Sequence, residues 1–148
     1  MPYITKTMKF SASHRLHNPN FSDEKNEAVF DKCNNFHGHG HNYTMEVTVE
    51  GAPDPQTGYI IDLKLLKNII RDEIINKVDH KHLNFDVDFL NGIIPTVENL
   101  SIIFWKLLEP KLPSGKLYKI KLYETESSFV EYFGEPVSVP VFDLNIKE

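Results

Sequence analysis

The sequence predicts an α+β domain, an antiparallel four-stranded sheet with two helices on one face. Three observations predict it. Two long N-terminal segments alternate apolar and polar residues, two later segments repeat apolar residues at helical spacing, and a second alternating pair follows. The order β-β-α-α-β-β groups strands and helices separately, as α+β chains do.

The first strand is expected over Tyr3–His14. Its even positions, Ile4, Lys6, Met8, Phe10, Ala12 and His14, form an apolar face broken once by Lys6, so His14 closes an inward face. Residues 17–35 are polar and irregular, with a short helix near Asp23–Phe30. The second strand runs from His39 to Glu50, with Met45, Val47 and Val49 inward and Thr44, Glu46, Thr48 and Glu50 wet. Gly51-Ala52-Pro53-Asp54-Pro55 is turn chemistry. A helix follows Asp62, a good N-cap, with Leu63, Leu66, Ile69, Ile70 and Ile74 on one stripe. A second follows Pro95-Thr96, with Val97, Leu100, Phe104, Leu107 and Leu108 in register, and Pro110 and Pro113 stop it. Tyr118, Ile120 and Leu122 then share a parity leading to Glu124, and Phe129–Phe133 returns. The residues after Glu135 read as an extra strand or a docked tail. A sheet this small, covered on one side, leaves two open edges, so a closed homo-oligomer is expected.

The chain has 148 residues, enough for one domain spanning 1–148. Hydrophobic residues make up 41% and charged residues 25%, ordinary for a globular protein. The net charge of -5 argues against duplex nucleic acid and anionic membranes as partners. No apolar run approaches the ~18 residues of a membrane helix, and the N-terminus carries no secretory pattern. The single cysteine, Cys33, has no internal disulfide partner, which points to a reducing, cytoplasmic setting. Asn42-Tyr43-Thr44 matches a glycosylation sequon but has no secretory route to use it.

The histidines are concentrated. His37, His39 and His41 alternate with glycine, and alternation on an extended chain brings imidazoles to one side. His14 ends the other inward face and could supply a third nitrogen. Three histidines leave a fourth position open, the pattern of a catalytic zinc; the plainer reading is a solvated histidine-rich turn. Gly40 lets the backbone come close between them. A thiolate is favoured beside a dication, so Cys33 is a candidate base or nucleophile, or else a small buried hydrophobe. In Asp79-His80 a carboxylate can orient an imidazole for proton relay, although adjacent residues need not face each other. Glu124 ends an inward strand parity, where a carboxylate needs donors; two N–H groups of an amino-pyrimidinone edge would serve. The alternative is a wet strand terminus.

Together these residues resemble a known family. Phe10-Ser11-Ala12-Ser13-His14-Arg15-Leu16 is similar to the opening motif of the 6-pyruvoyl-tetrahydropterin synthases. So are Cys33-Asn34-Asn35 with His39-Gly40-His41-Asn42-Tyr43, Asp79-His80-Lys81, Pro95-Thr96-Val97-Glu98-Asn99-Leu100 and Tyr123-Glu124-Thr125. Order and intervals agree from about residue 4 to residue 135. The resemblance implies the tunnelling fold, in which trimers close the sheets into a barrel and two trimers stack into a homohexamer. It implies zinc held by His14, His39 and His41, with Cys33 as general base. Asp79 and His80 would form a relay contributed by a neighbouring subunit. Glu124 would anchor the pterin, with Thr96 and Glu98 close to that pocket. The implied reaction converts 7,8-dihydroneopterin triphosphate to 6-pyruvoyl-tetrahydropterin and releases triphosphate, on the route to tetrahydrobiopterin.

One departure bears on the product. His37 creates a second frame, Cys33-x-x-x-His37-Gly38-His39, similar to the sister 6-carboxy-tetrahydropterin synthases of deazapurine synthesis. The Cys-Asn-Asn start, the Gly-His-Asn-Tyr end and the long segment 17–32 favour the pyruvoyl enzyme. Two further readings stand beside these. His39-x-His41-x-x-x-x-Glu46 matches a first cupin signature, but Glu46 has the wrong strand parity and no second cupin motif follows. A non-catalytic pterin- or metal-binding module would need no thiol.

Overall fold

The two long alternating segments pair with each other. In the computed structural model, which describes residues 1–144, β1 is Tyr3–His14 and β2 is His39–Glu50. They run antiparallel in unbroken register from Tyr3 opposite Glu50 to His14 opposite His39. β3 is the two-residue strand Lys81–His82, parallel to β1 at Ala12 and Ser13. β4 (Lys116–Thr125) pairs with β2, and β5 (Ser128–Tyr132) with β4. The sheet is therefore five-stranded and mixed, in the order β3-β1-β2-β4-β5, not the expected four-stranded antiparallel sheet. Two residues cannot express an alternation, so β3 left no local sequence signal.

The helices are α1 (Asp23–Phe30), α2 (Leu63–Ile70), α3 (Asn76–Val78) and α4 (Val97–Leu108). The Asp62 carboxylate accepts from Lys64 N–H at 2.9 Å and starts α2. A π turn over Arg71–Ile75 carries α2 directly into α3. Leu66, Ile70, Ile74 and Val78 are fully buried along this stretch, as are Leu100, Phe104 and Leu108 of α4. They meet Phe10, Met45, Val47, Ile120 and Leu122 in one core. Burying each such side chain stabilises the fold by roughly 1.5–3 kcal/mol.

Three local features escape the periodic pattern. A register shift between Thr48 and Val49 puts Leu117 in the core, 2% exposed, in place of Tyr118. Tyr118 turns out instead onto Tyr3, ring centroids 4.4 Å apart. This is what a bulge does, since one extra residue inverts the parity beyond it. Secondly, α1 has a single buried residue, Asn26. Its amide accepts from Asn18 N–H (2.9 Å) and donates to Asn18 C=O (3.0 Å), so a polar clamp rather than an apolar stripe holds the helix. Thirdly, residues 136–144 form no strand. They dock through Phe142 N–H to Gly92 C=O (2.7 Å) and wall a cavity of about 850 Å³ with Arg15, Phe36 and Phe85. Among the described residues no helix is long and apolar enough to cross a membrane.

Candidate active site

The inward parities of β1 and β2 end on histidines, and the register brings those ends together. His14 lies opposite His39, and His41 follows two residues on along β2. Their candidate ligand atoms all lie within 4.8 Å of one another. His14 Nε2 and His39 Nε2 are 3.2 Å apart. Two nitrogens on one tetrahedral zinc sit about 3.4 Å apart, so the spacing suits an ion. His41 Nε2 is buried and has no hydrogen-bond partner. Buried polar atoms without partners are costly, and an ion among the rings would engage such groups.

His14 is completely buried. Its Nδ1 is 2.8 Å from Pro95 C=O, with the Tyr43 hydroxyl 3.3 Å from the same nitrogen. The Pro95 carbonyl requires the Nδ1–H tautomer and so aims the Nε2 lone pair at the cluster. Burial pulls the His14 pKa down to about 4, against the Pro95 bond, and the nearby His39 and His41 lower it further. His41 is lowered too, first by burial, while Glu124 acts in the opposite sense. Burial raises the Tyr43 phenol well above its ordinary value.

A pH dependence follows. His14 is neutral in the fold, so the unfolded chain takes its proton first as pH falls below 6.5. Stability of the chelator-treated chain is expected to be flat above that pH. It should then decline towards pH 4, by about 3 kcal/mol from His14 alone, with the lowered His41 acting in the same sense. Urea midpoints at pH 7.5, 6 and 5 measure it, and equal midpoints would contradict the neutral, buried ring.

Glu124 continues the inward side of Ile120 and Leu122 at a register shift between Tyr123 and Thr125. Its two carboxylate oxygens lie 3.9 Å from His14 Nε2 and from His41 Nε2. The carboxylate thus faces the histidine cluster. Thr96 caps α4, its hydroxyl accepting from Asn99 N–H at 3.2 Å. It follows Pro95 directly, and Glu98 sits in the first turn of the same helix. Among the described residues no hydrogen bond or ion pair joins Thr96 or Glu98 to the histidines.

Asp79 and His80 do face each other, with 3.0 Å between Asp79 Oδ1 and His80 Nδ1. Asp79 Oδ1 also accepts from Ser11 N–H at 2.9 Å, and that bond is the main cause of its lowered pKa. The geometry needs His80 at φ 60°. The His80 ring is 83% exposed in the single chain, on a groove that it shares with Ser11, His41 and Asn42. Cys33 lies in a short 3₁₀ turn, Asp31–Asn34, half-buried. Its carbonyl accepts from Leu16 N–H at 2.8 Å, two residues beyond His14.

The alternative frame is not assembled. His37 is exposed with its ring against Phe36, outside the close group. Glu46 lies on the opposite face of the sheet, with Lys9, Asn42 and Thr44, so the cupin arrangement is not formed. The close approach expected at Gly40 occurs at Gly38 instead. A Cβ at Gly40 would stand 3.7 Å from Ala12 O, but at Gly38 it would stand 2.7 Å from His14 O and 2.9 Å from His82 Nε2. Gly38 also has φ +77°. Gly38→Ala is therefore expected to destabilise the chain by about 1–3 kcal/mol, read by urea denaturation.

The family model described as 6-pyruvoyl tetrahydropterin synthase matches residues 3–135. The chain belongs to this family. It is 45% identical over 132 residues to the human 6-pyruvoyl tetrahydrobiopterin synthase, covering 89% of this chain and 91% of that relative. The solved Caenorhabditis elegans 6-pyruvoyl tetrahydropterin synthase superposes with a TM-score of 0.84 at 38% identity, covering 91% of this chain and 98% of that one. A Rickettsia typhi 6-carboxy-5,6,7,8-tetrahydropterin synthase is 28% identical over 145 residues, covering 86% of this chain and 96% of the relative. Members of the synthase family are enzymes, and the described tail after Glu135 lies outside the matched span.

Proposed function

We propose that this chain is a zinc-dependent lyase that converts 7,8-dihydroneopterin triphosphate to 6-pyruvoyl-tetrahydropterin with release of triphosphate. The observation that carries the reading is the convergence of His14, His39 and His41 with the Glu124 carboxylate facing them. The greater identity to a pyruvoyl than to a carboxy enzyme supports the product, as does the exposure of His37. His14, His39 and His41 would hold the zinc. Bound there, zinc would polarise the substrate's side-chain oxygens and acidify the adjoining C–H.

The chain's own residues supply the rest. Glu124 accepts two N–H bonds from the pterin edge and fixes its orientation. Thr96 and Glu98, at the start of α4 next to Pro95, would add contacts to the bound pterin. Cys33, as thiolate, takes the first proton from the side-chain carbon. His80, oriented through Nδ1 by Asp79, moves the second. The leaving triphosphate departs by elimination, with no covalent intermediate on the protein. Because His80 is exposed in the single chain, the relay acts on a neighbouring copy's site, within a homohexamer of two stacked trimers. The open edges β3 and β5 support such closure into a barrel. The half-buried free thiol suits a cytoplasmic location.

Product analysis of the zinc-loaded chain given dihydroneopterin triphosphate tests the reading. Equimolar triphosphate and 6-pyruvoyl-tetrahydropterin are expected. A 6-carboxy pterin with acetaldehyde would assign the chain to the sister activity instead.

A further inference from the structure

We infer that Asn84 is a positioning residue for the Cys33 thiol; this rests on the lyase reading above. The backbone pairing between β3 and β1 ends with Leu83 N–H donating to Ser13 C=O at 2.8 Å. Beyond it, the Asn84 amide takes over from the backbone. Its Oδ1 accepts from Arg15 N–H at 2.8 Å and its Nδ2 donates to Arg15 C=O at 2.8 Å. A side chain thus adds one rung to β1 beyond His14 and satisfies both backbone groups of Arg15.

Residues 15–17 pass that order on to the thiol-bearing turn. Leu16 N–H donates to Cys33 C=O at 2.8 Å, and Arg15 Nε to Asn34 C=O at 2.9 Å. His17 Nδ1 stands 2.8 Å from Asn34 Oδ1. The turn is therefore gripped from one side by a three-residue segment whose other side is fastened by Asn84. Freeing that segment lets Cys33 move, while His14 stays held by Pro95 and by its pairing opposite His39. Proton abstraction needs the base about 3–3.5 Å from its target, so displacement of the thiol costs rate before it costs binding.

Asn84→Asp tests this in the zinc-loaded full chain. It keeps the acceptor and the size but replaces the Nδ2–H donor with an oxygen facing Arg15 C=O. The expected result is a kcat lower by about 10- to 100-fold with KM within about twofold. Zinc content should equal that of the parent. The rate of Cys33 alkylation by iodoacetamide should change by about threefold or more. His17→Ala, from the other end of the clasp, should move kcat and alkylation the same way, and it carries the test if Asn84→Asp fails to fold. In a Cys33→Ala background, Asn84→Asp should cost nothing further. Parent-like kcat and alkylation, or an equal loss in the Cys33→Ala background, would overturn the inference. So would a loss confined to zinc content. If the parent chain makes no 6-pyruvoyl product, the lyase reading fails, and the alkylation rates still decide whether Asn84 holds the thiol.

Discussion

Cys33→Ala is expected to give a folded, zinc-loaded chain whose turnover falls by about 10²- to 10⁴-fold, the range for loss of a positioned base. The fold has little at stake in the sulfur. Cys33 is half-buried in a surface turn, and the bond that ties it to Leu16 uses its backbone carbonyl. The three histidines come from β1 and β2 and do not depend on it. Zinc content, melting temperature and triphosphate release on one preparation make the measurement. Full activity in this variant would favour the non-catalytic binding module, which has no use for a thiol.

An even larger loss is expected from His41→Ala, which removes one nitrogen and leaves His14 and His39 as the remaining pair. Disturbing only the partner of a metal-bound histidine typically costs 10–100-fold in affinity, so deleting the ligand itself should cost more than about 100-fold. Activity should fall to background at micromolar zinc. His41 is a cleaner choice than His14, whose ring is fully buried and bonded to Pro95, so its removal would also disturb packing. The paired control is His37→Ala. His37 is exposed and outside the cluster, and its variant should bind zinc as the parent does. Zinc lost from His37→Ala and kept in His41→Ala would move the ligand set to the other frame.

The parts of the fold that could be read from sequence are those whose signal is long and local. β1 and β2 alternate over twelve residues each, and both patterns end on histidine. The caps Asp62 and Thr96 announce α2 and α4 before their apolar stripes begin. What could not be read is set by contacts distant in the chain. β3 is two residues long and exists only because β1 is there to pair with it. Tyr118 breaks parity because it is itself the extra residue of a bulge, a feature fixed only by pairing with the Thr48–Val49 step of β2. Within the candidate site, the histidines, Cys33, Asp79, His80 and Glu124 stand in readable motifs. The groups that orient them do not. Pro95 acts through a carbonyl that every residue carries, and it meets His14 across 81 positions. Tyr43 had a clue, since it continues the inward parity after His39 and His41. Asn84 had none, because a side-chain amide copying a backbone rung is visible only in three dimensions.

The pairing of His14 with His39 also bears on how the chain reaches this structure. A hairpin whose arms are joined by a long excursion can zip together one step out of place, and a single-step slip would turn every inward residue to the wrong side. Only the correct alignment sets the two imidazoles abreast. Zinc present during synthesis would therefore reward that alignment and no other, acting as a proofreader of strand assembly before it ever meets a substrate.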